Sequence, residues 1–136
     1  CKTIGITRNQ LLRLLDMLEH SALLRKLYPE QGNIQSLAKP EKILFENTNL
    51  LYALSNEIEV GTLRETFFCN QLSLQHALTM PQRGDVLVNG KYLFEIGGHN
   101  KNYKQISGIT DSWIVADDIE AGIGHKIPLW LFGMLY

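Results

Sequence analysis

The sequence predicts a small α/β domain, of the α+β kind, in which a mixed sheet is flanked by helices. Three patterns indicate it: hydroxyl residues before leucine-rich stretches, an Asn-Gly pair between alternating apolar residues, and short apolar runs bounded by Gly or Pro. The chain has 136 residues, of which 45% are hydrophobic and 20% are charged. This size and composition suit one compact domain, or a small domain joined to part of another.

The composition excludes several functional classes. The net charge is −1, so the chain as a whole has no electrostatic attraction to nucleic acid or to an anionic membrane. The longest apolar run, residues 127–136, is far shorter than the roughly 20 residues of a membrane-spanning helix, and we expect no membrane partner. Cys1 and Cys69 lack the spacing of a disulfide framework or a zinc site. We therefore expect a buried Cys69 and a cytoplasmic protein.

The first part of the chain, residues 1–56, reads as the C-terminal half of a winged helix. Residues Thr7–Gln10 form a capping-box pattern, which predicts a helix over about residues 8–20. Arg8 and Arg13 on this helix are candidates for contact with DNA phosphates, although an ordinary solvated helix face also explains them. The further predicted elements are a strand over residues 23–28, a polar loop over 29–40, a strand over 42–45, and a short helix capped by Asn47 or Thr48.

The second part, residues 57–136, reads as a separate α/β domain that begins near Gly61. Thr62–Glu65 is a second capping-box pattern, which predicts a helix through about Leu74. Glu65 also has a structural interpretation here, as the residue that caps the Thr62 backbone. The later predicted elements are a strand over 76–80, a hairpin over 85–96, a short helix over 101–107, a strand over 113–116, and a last helix or buried strand around Pro128.

The hairpin over residues 85–96 is the strongest local signal, because Asn-Gly between alternating apolar residues favours a tight turn. A two-residue type I′ loop would pair Val88 with Lys91. A three-residue loop with Gly90 in a left-handed bulge would instead pair Leu87 with Lys91. Only the three-residue loop separates the apolar residues from the charged ones, so we expect that register.

The expected register places two carboxylates, those of Asp85 and Glu95, on one face of the hairpin. That face would hold Asp85, Leu87, Lys91, Leu93 and Glu95, and the apolar face Val86, Val88, Tyr92, Phe94 and Ile96. Two carboxylates, with a third from a helix, can coordinate a hard divalent cation such as Mg²⁺. Such a cation activates water and stabilises a phosphoryl transition state.

Three motifs carry a resemblance to a known family: Gly61–Glu65, Gly84–Val88 and Tyr92–Glu95. In this order and spacing they resemble the C-terminal region of bacterial AAA-type ATPases, which has a restriction-nuclease-like (PD-(D/E)XK) fold. The upstream stretch, from the leucine-rich helix through residues 42–45, resembles the winged helix that lies between the ATPase and that fold, and residues 127–133 are similar to the tail of one subgroup. The resemblance covers nearly the whole chain.

The resemblance implies a set of catalytic residues. Glu65 matches the acid on the helix, Asp85 the first strand acid and Glu95 the second, and Asp85 and Glu95 would hold Mg²⁺. Active nucleases of this fold carry a lysine two residues after the second acid, where this chain has Gly97. The lysines that follow on the next segment are Lys101 and Lys104, and we take Lys101 as the candidate replacement.

Three functional interpretations follow. The first is an accessory domain of an AAA-type ATPase, with a degenerate nuclease-like site that binds nucleic acid or a protein partner. Since the chain begins at Cys1, we expect the ATPase domain and its ATP site on a preceding part of a longer protein. The second is an active Mg²⁺-dependent DNA nuclease. The third is an interaction or homo-oligomerisation module that uses Trp113, Trp130 and Tyr136.

Overall fold

The structure is a computed structural model that describes residues 5–31 and 39–135. Most of the predicted polar loop, and Tyr136, lie outside the described residues. The helices are α1 (Arg8–His20), α2 (Thr48–Leu54) and α3 (Val60–Ser73), with 3₁₀ helices at Tyr103–Gln105 and Leu129–Met134. The strands are β1 (Leu24–Leu27), β2 (Lys42–Phe45), β3 (Leu78–Thr79), β4 (Val86–Val88), β5 (Tyr92–Gly97), β6 (Ser112–Ala116) and β7 (Lys126–Pro128).

The predicted start of α1 is confirmed. The Gln10 backbone N–H donates to Thr7 Oγ1 over 3.2 Å, and the Thr7 backbone N–H donates to Gln10 Oε1 over 2.8 Å. These reciprocal bonds satisfy N–H groups that a helix otherwise leaves without partners. The Asn47 side chain caps α2 in a similar way, because its Oδ1 accepts from Leu50 N over 3.0 Å.

The predicted capping box at Thr62 is wrong. Helix α3 begins at Val60, and its N-cap, Glu59, makes no side-chain capping bond. The Leu63 N–H already donates to the Glu59 carbonyl over 3.0 Å, so helical hydrogen bonding starts before Thr62 can act as a cap. Glu65 therefore lies inside the helix, and its carboxylate is available for a tertiary contact.

The mixed sheet with flanking helices is confirmed. Strands β3 to β7 form a five-stranded sheet in sequence order, antiparallel from β3 to β5 and parallel from β5 to β7. The predicted strand over residues 76–80 is shorter, with only Leu78–Thr79 in the ladder. Both interpretations of the C-terminal run apply in part, because Pro128 ends β7 and directly precedes a 3₁₀ helix.

The hairpin loop differs from the expected one, although the faces of its strands are as predicted. Val88 lies opposite Tyr92, so the loop is Asn89-Gly90-Lys91. Both Asn89, at φ 54°, and Gly90, at φ 64°, are left-handed, whereas the expected bulge needed only Gly90. Relative to the expected register, the partner of each β4 residue is displaced by two residues along β5. Because this displacement is even, each side chain stays on its predicted face.

One face of the sheet packs against α3 and the C-terminal 3₁₀ helix. Phe68 of α3 is fully buried, and its ring centroid lies 5.1 Å from that of Phe94 and 4.8 Å from that of Phe132. Leu27 and Leu44 of the β1–β2 hairpin belong to the same buried cluster. The described parts of residues 1–56 and 57–136 thus contribute to one core, and the boundary between them stays a prediction.

The opposite face of the sheet is covered by the crossover from β5 to β6, residues 98–111. Its buried cluster combines strand residues with Ile106 of the crossover, and the cluster consists of Leu87, Leu93, Ile106, Ile114 and Ala116. Both faces of the central strands are therefore buried. A charged residue in those strands needs a partner supplied by the covering segment.

We predict that Phe68→Ala lowers the free energy of unfolding by about 3–5 kcal/mol, because it removes a buried aromatic ring and leaves a cavity. Urea denaturation followed by circular dichroism measures this change. Leu74→Ala is the control, since Leu74 is 86% exposed and should change the stability little. Equal stabilities of the two variants would contradict the packing described above.

A second prediction concerns Cys69, which is 1% exposed, and burial raises the pKa of its thiol to about 12. In a Cys1→Ser background, iodoacetamide at pH 8 should label Cys69 slowly in the folded protein and rapidly in denaturing urea. Because its pKa is raised, the folded thiol keeps its proton at pH values at which the unfolded thiol is ionised. The free energy of unfolding should therefore fall as the pH rises above about 8.5. Cys69→Ala should show a shallower fall.

Candidate active site

Glu95 lies near the middle of the five-stranded sheet and is 1% exposed. It belongs to β5, where it pairs with Ile114 of the parallel strand β6. Alternation along β5 directs Phe94 and Ile96 into the core against α3 and directs Glu95 to the face under the crossover. A carboxylate at such a position requires a cation or several hydrogen-bond donors.

Lys101 supplies the cation. Its Nζ lies 2.5 Å from Glu95 Oε1, and 31% of its side chain is exposed. The Lys101 N–H donates to the Gly98 carbonyl over 2.9 Å, which turns the chain back over the strand that it has just left. Lys101, the candidate replacement lysine, therefore contacts Glu95.

Gly97 makes this approach feasible. A Cβ atom on Gly97 would lie 2.7 Å from Lys101 Cδ and 2.9 Å from Lys101 Cγ. The lysine stem thus occupies the space in which a side chain at position 97 would begin. The side chain of Lys101 thus occupies the space over position 97, where the resemblance would lead us to expect a lysine.

The 3₁₀ helix of the crossover adds a second donor to Glu95. With its amide nitrogen turned toward the carboxylate, the orientation that satisfies the local hydrogen bonds, Gln105 donates to Oε2 over 3.2 Å and also to Oε1. Arg83 Nη2 donates to the backbone carbonyl of Gln105. Neither Gln105 nor Arg83 was identified from the sequence, because each lies in a polar segment without a motif.

Asp85 enters the same site from the start of β4. Its Oδ2 accepts from the Ile96 N–H over 2.6 Å, and its own N–H donates to the Phe94 carbonyl over 2.9 Å. Gly84 precedes it at φ 84°, and a Cβ atom there would lie 2.9 Å from Leu93 Cδ1. Only glycine suits this turn, which directs Asp85 toward Glu95.

Asp85 and Glu95 line one cleft of about 490 Å³, which we name the Asp85 cleft. Its lining residues are Gln82, Arg83, Gly84, Asp85, Glu95 and Gln105. In the described ranges 5–31 and 39–135, no group of three or more His, Cys, Asp or Glu side chains is placed to hold a metal ion. The protein thus offers two carboxylates here rather than a complete cage of ligands.

The other predicted site residues lie elsewhere. Lys42 Nζ of β2 lies 2.7 Å from Glu65 Oε2, so the carboxylate of Glu65 pairs with the β1–β2 hairpin. Arg8 and Arg13 are exposed on α1. Asp85 and Glu95 thus line the cleft and Lys101 contacts Glu95, whereas Glu65, Arg8 and Arg13 neither line the cleft nor pair with its acids. The roles of all six residues stay predictions.

Comparison with known proteins adds no assignment, since the chain matches no family model, no curated protein and no solved structure. Among the described helices, none has the length and apolar character needed to cross a membrane. The function must therefore be argued from the geometry of the site.

We predict that Lys101→Met lowers the free energy of unfolding by about 1–3 kcal/mol, because it leaves the Glu95 carboxylate buried without its cation. A Glu95→Gln change in the same chain should recover part of that loss, so a double-mutant cycle measures the coupling. Lys104→Met is the matched control on the same segment, where Lys104 is exposed. Equal losses in the Lys101 and Lys104 variants would contradict the buried ion pair.

Proposed function

We propose that this chain is the nuclease-like C-terminal region of an AAA-type ATPase and that its Asp85 cleft is a divalent-cation-dependent phosphodiesterase site. One observation carries the proposal: Lys101 reaches across Gly97 to Glu95, with a separation of 2.5 Å between Nζ and Oε1. The resemblance implies two strand acids and a nearby lysine for this chemistry. The cleft contains both acids, and the lysine contacts one of them.

The donor set fits Mg²⁺ better than a cation that needs a protein cage. Mg²⁺ prefers oxygen ligands, keeps several waters, and is often held by one or two carboxylates together with substrate phosphates. Asp85 and Glu95 are the residues that would hold it. Asp85 lines the cleft, and its Oδ2 accepts the Ile96 N–H, which leaves Oδ1 as the oxygen that this bond does not use.

Each residue then has a definable contribution. A bound Mg²⁺ would supply a Lewis acid and lower the pKa of a bound water. Lys101 holds a positive charge beside the Glu95 carboxylate, where it would stabilise the negative charge that develops on a phosphoryl group during hydrolysis. Gln105 fixes the orientation of Glu95 by its amide hydrogen bonds. Arg83 lines the cleft and provides a second cation there.

A second candidate function is a non-catalytic accessory domain that binds nucleic acid or a protein partner. The specific observation that favours it is the satisfaction of Glu95, whose two oxygens are already engaged by Lys101 and Gln105. A fully paired carboxylate serves a structural purpose without any metal. The interaction module based on Trp113, Trp130 and Tyr136 stays a prediction. Trp113 stacks on Phe94 within the domain, with 5.8 Å between ring centroids, and Trp130 is 50% exposed.

Metal titration and cleavage assays on the same variants separate the two candidates. We predict saturable Mg²⁺ or Mn²⁺ binding by calorimetry, lost in Asp85→Asn, together with metal-dependent cleavage of labelled DNA. Lys101→Met should reduce cleavage about 100-fold or more, because it removes the charge that stabilises the transition state. The same change should preserve or strengthen metal binding, since it removes a cation that competes for Glu95. Lys104→Met is the control for both measurements.

Moving the lysine from position 101 to position 97 tests whether an ammonium group near Glu95 supports cleavage whichever position supplies it. Glu95 and position 97 lie on the same face of β5, so Gly97→Lys should return an ammonium group to Glu95 when it is combined with Lys101→Ala, which removes the Cγ and Cδ atoms that a side chain at position 97 would meet. We expect this double variant to recover part of the cleavage that Lys101→Ala alone loses. No metal binding by the unmodified chain at millimolar Mg²⁺ and Mn²⁺ would reject the phosphodiesterase. Metal-independent DNA binding alone would support the accessory domain.

A further inference from the structure

A second concave surface lies beside the Asp85 cleft, and we name it the histidine groove. It has a volume of about 630 Å³, within the range of pockets that bind organic ligands. Its lining residues are His99, Asn100, Lys101, Asn102, Tyr103, Ile114, Ile123, His125 and Lys126. Lys101 belongs to this groove and also pairs with Glu95 of the cleft, so the two surfaces adjoin at that side chain.

The charge of the groove differs from that of the whole chain. Two lysines and two histidines line it, and none of its lining residues is acidic, although the chain has a net charge of −1. Lys126 Nζ donates to the His99 carbonyl over 3.0 Å, a bond that uses only one of its three N–H groups. Lys101 is paired with Glu95, so Lys126 is the lysine of the groove whose remaining donors suit an anion such as a phosphodiester.

The sheet aligns the groove with the cleft. Glu95 of β5 pairs with Ile114 of β6, and Ile114 pairs with Lys126 of β7. Laterally paired residues project from the same face of a sheet. Lys126 therefore lies on the sheet face that holds Glu95, two strands away from it. The crossover covers Glu95 and Ile114, and its Lys101 both contacts Glu95 and lines the groove, so a molecule bound in the groove would lie next to the residue that pairs with Glu95.

Two aromatic rings in the groove are held in place. The centroids of Tyr103 and His125 lie 5.1 Å apart at an interplanar angle of 34°. Tyr103 Oη lies 2.5 Å from Ser112 Oγ, and His125 Nδ1 donates to the Ser112 carbonyl over 3.2 Å. Ser112 thus orients both rings. His125 is exposed, so its ring is available for stacking by a nucleobase.

We propose that the histidine groove binds single-stranded nucleic acid next to the Asp85 cleft, with a phosphate on Lys126 and a base stacked on His125. This inference rests on the proposed phosphodiesterase and specifies its substrate class. Aromatic stacking requires an unpaired base, and duplex DNA does not offer one in a shallow groove. The combination of lysine and ring is typical of surfaces that follow a single strand.

Fluorescence anisotropy with a labelled oligothymidylate of about ten nucleotides tests the groove, and EDTA in the buffer removes any contribution from metal or cleavage. Lys126→Met should weaken binding and reduce the slope of log K against log salt by about 0.7, the value for one lost phosphate contact with a single strand. His125→Ala should weaken binding about fivefold or more. Lys104→Met, on an exposed lysine outside the groove, should bind like the unmodified chain.

The outcomes separate the groove from the cleft. Unchanged affinity and salt slope in both groove variants would overturn the inference, and so would equal competition by a duplex of the same length. If Lys126→Met fails to fold, as judged by its thermal transition, His125→Ala alone decides. Strand binding that depends on Lys126 and His125, without metal-dependent cleavage, would support the groove and reject only the phosphodiesterase.

Discussion

The buried carboxylate of Glu95 is the constraint on which one whole face of the sheet depends. An unpaired charge in that position would cost several kcal/mol, a large fraction of the stability of a typical domain. Lys101 neutralises it with a separation of 2.5 Å, so the chain that leaves β5 must fold back over the strand. Gly97 permits that return, because it has no side chain in the path of the lysine stem.

The segment that folds back over β5 contributes both to the core and to the proposed site. The crossover that carries Lys101 also supplies Ile106, which is fully buried against Leu93 and Ile114. Gln105 stands directly before Ile106 and contacts Glu95. A change that loosens this second core would therefore move the groups around the carboxylate. Glu95 belongs to a covered strand and Lys101 to the segment that covers it, so the packing of that segment positions the pair.

The proposed phosphodiesterase depends on the difference between spacing along the chain and position in space. Measured along the chain, the lysine expected two residues after Glu95 is absent. Measured in space, an ammonium group lies against Glu95 and its stem passes over Gly97. Chemistry depends on the second measure, since charge stabilisation requires only that the cation be held at the correct place. The adjoining histidine groove adds one further lysine, Lys126, and the exposed ring of His125.

The sequence alone determined what depends on neighbours along the chain: the capping box of α1, the strand Lys42–Phe45, and the alternation that puts Asp85 and Glu95 on one face. Tertiary structure decided the rest. Helix α3 starts before its apparent cap, and Glu65 turns to Lys42, a residue distant in sequence. The reach of Lys101 also depends on contacts across the crossover, because a buried charge selects its partner by distance in space and not by position in the chain.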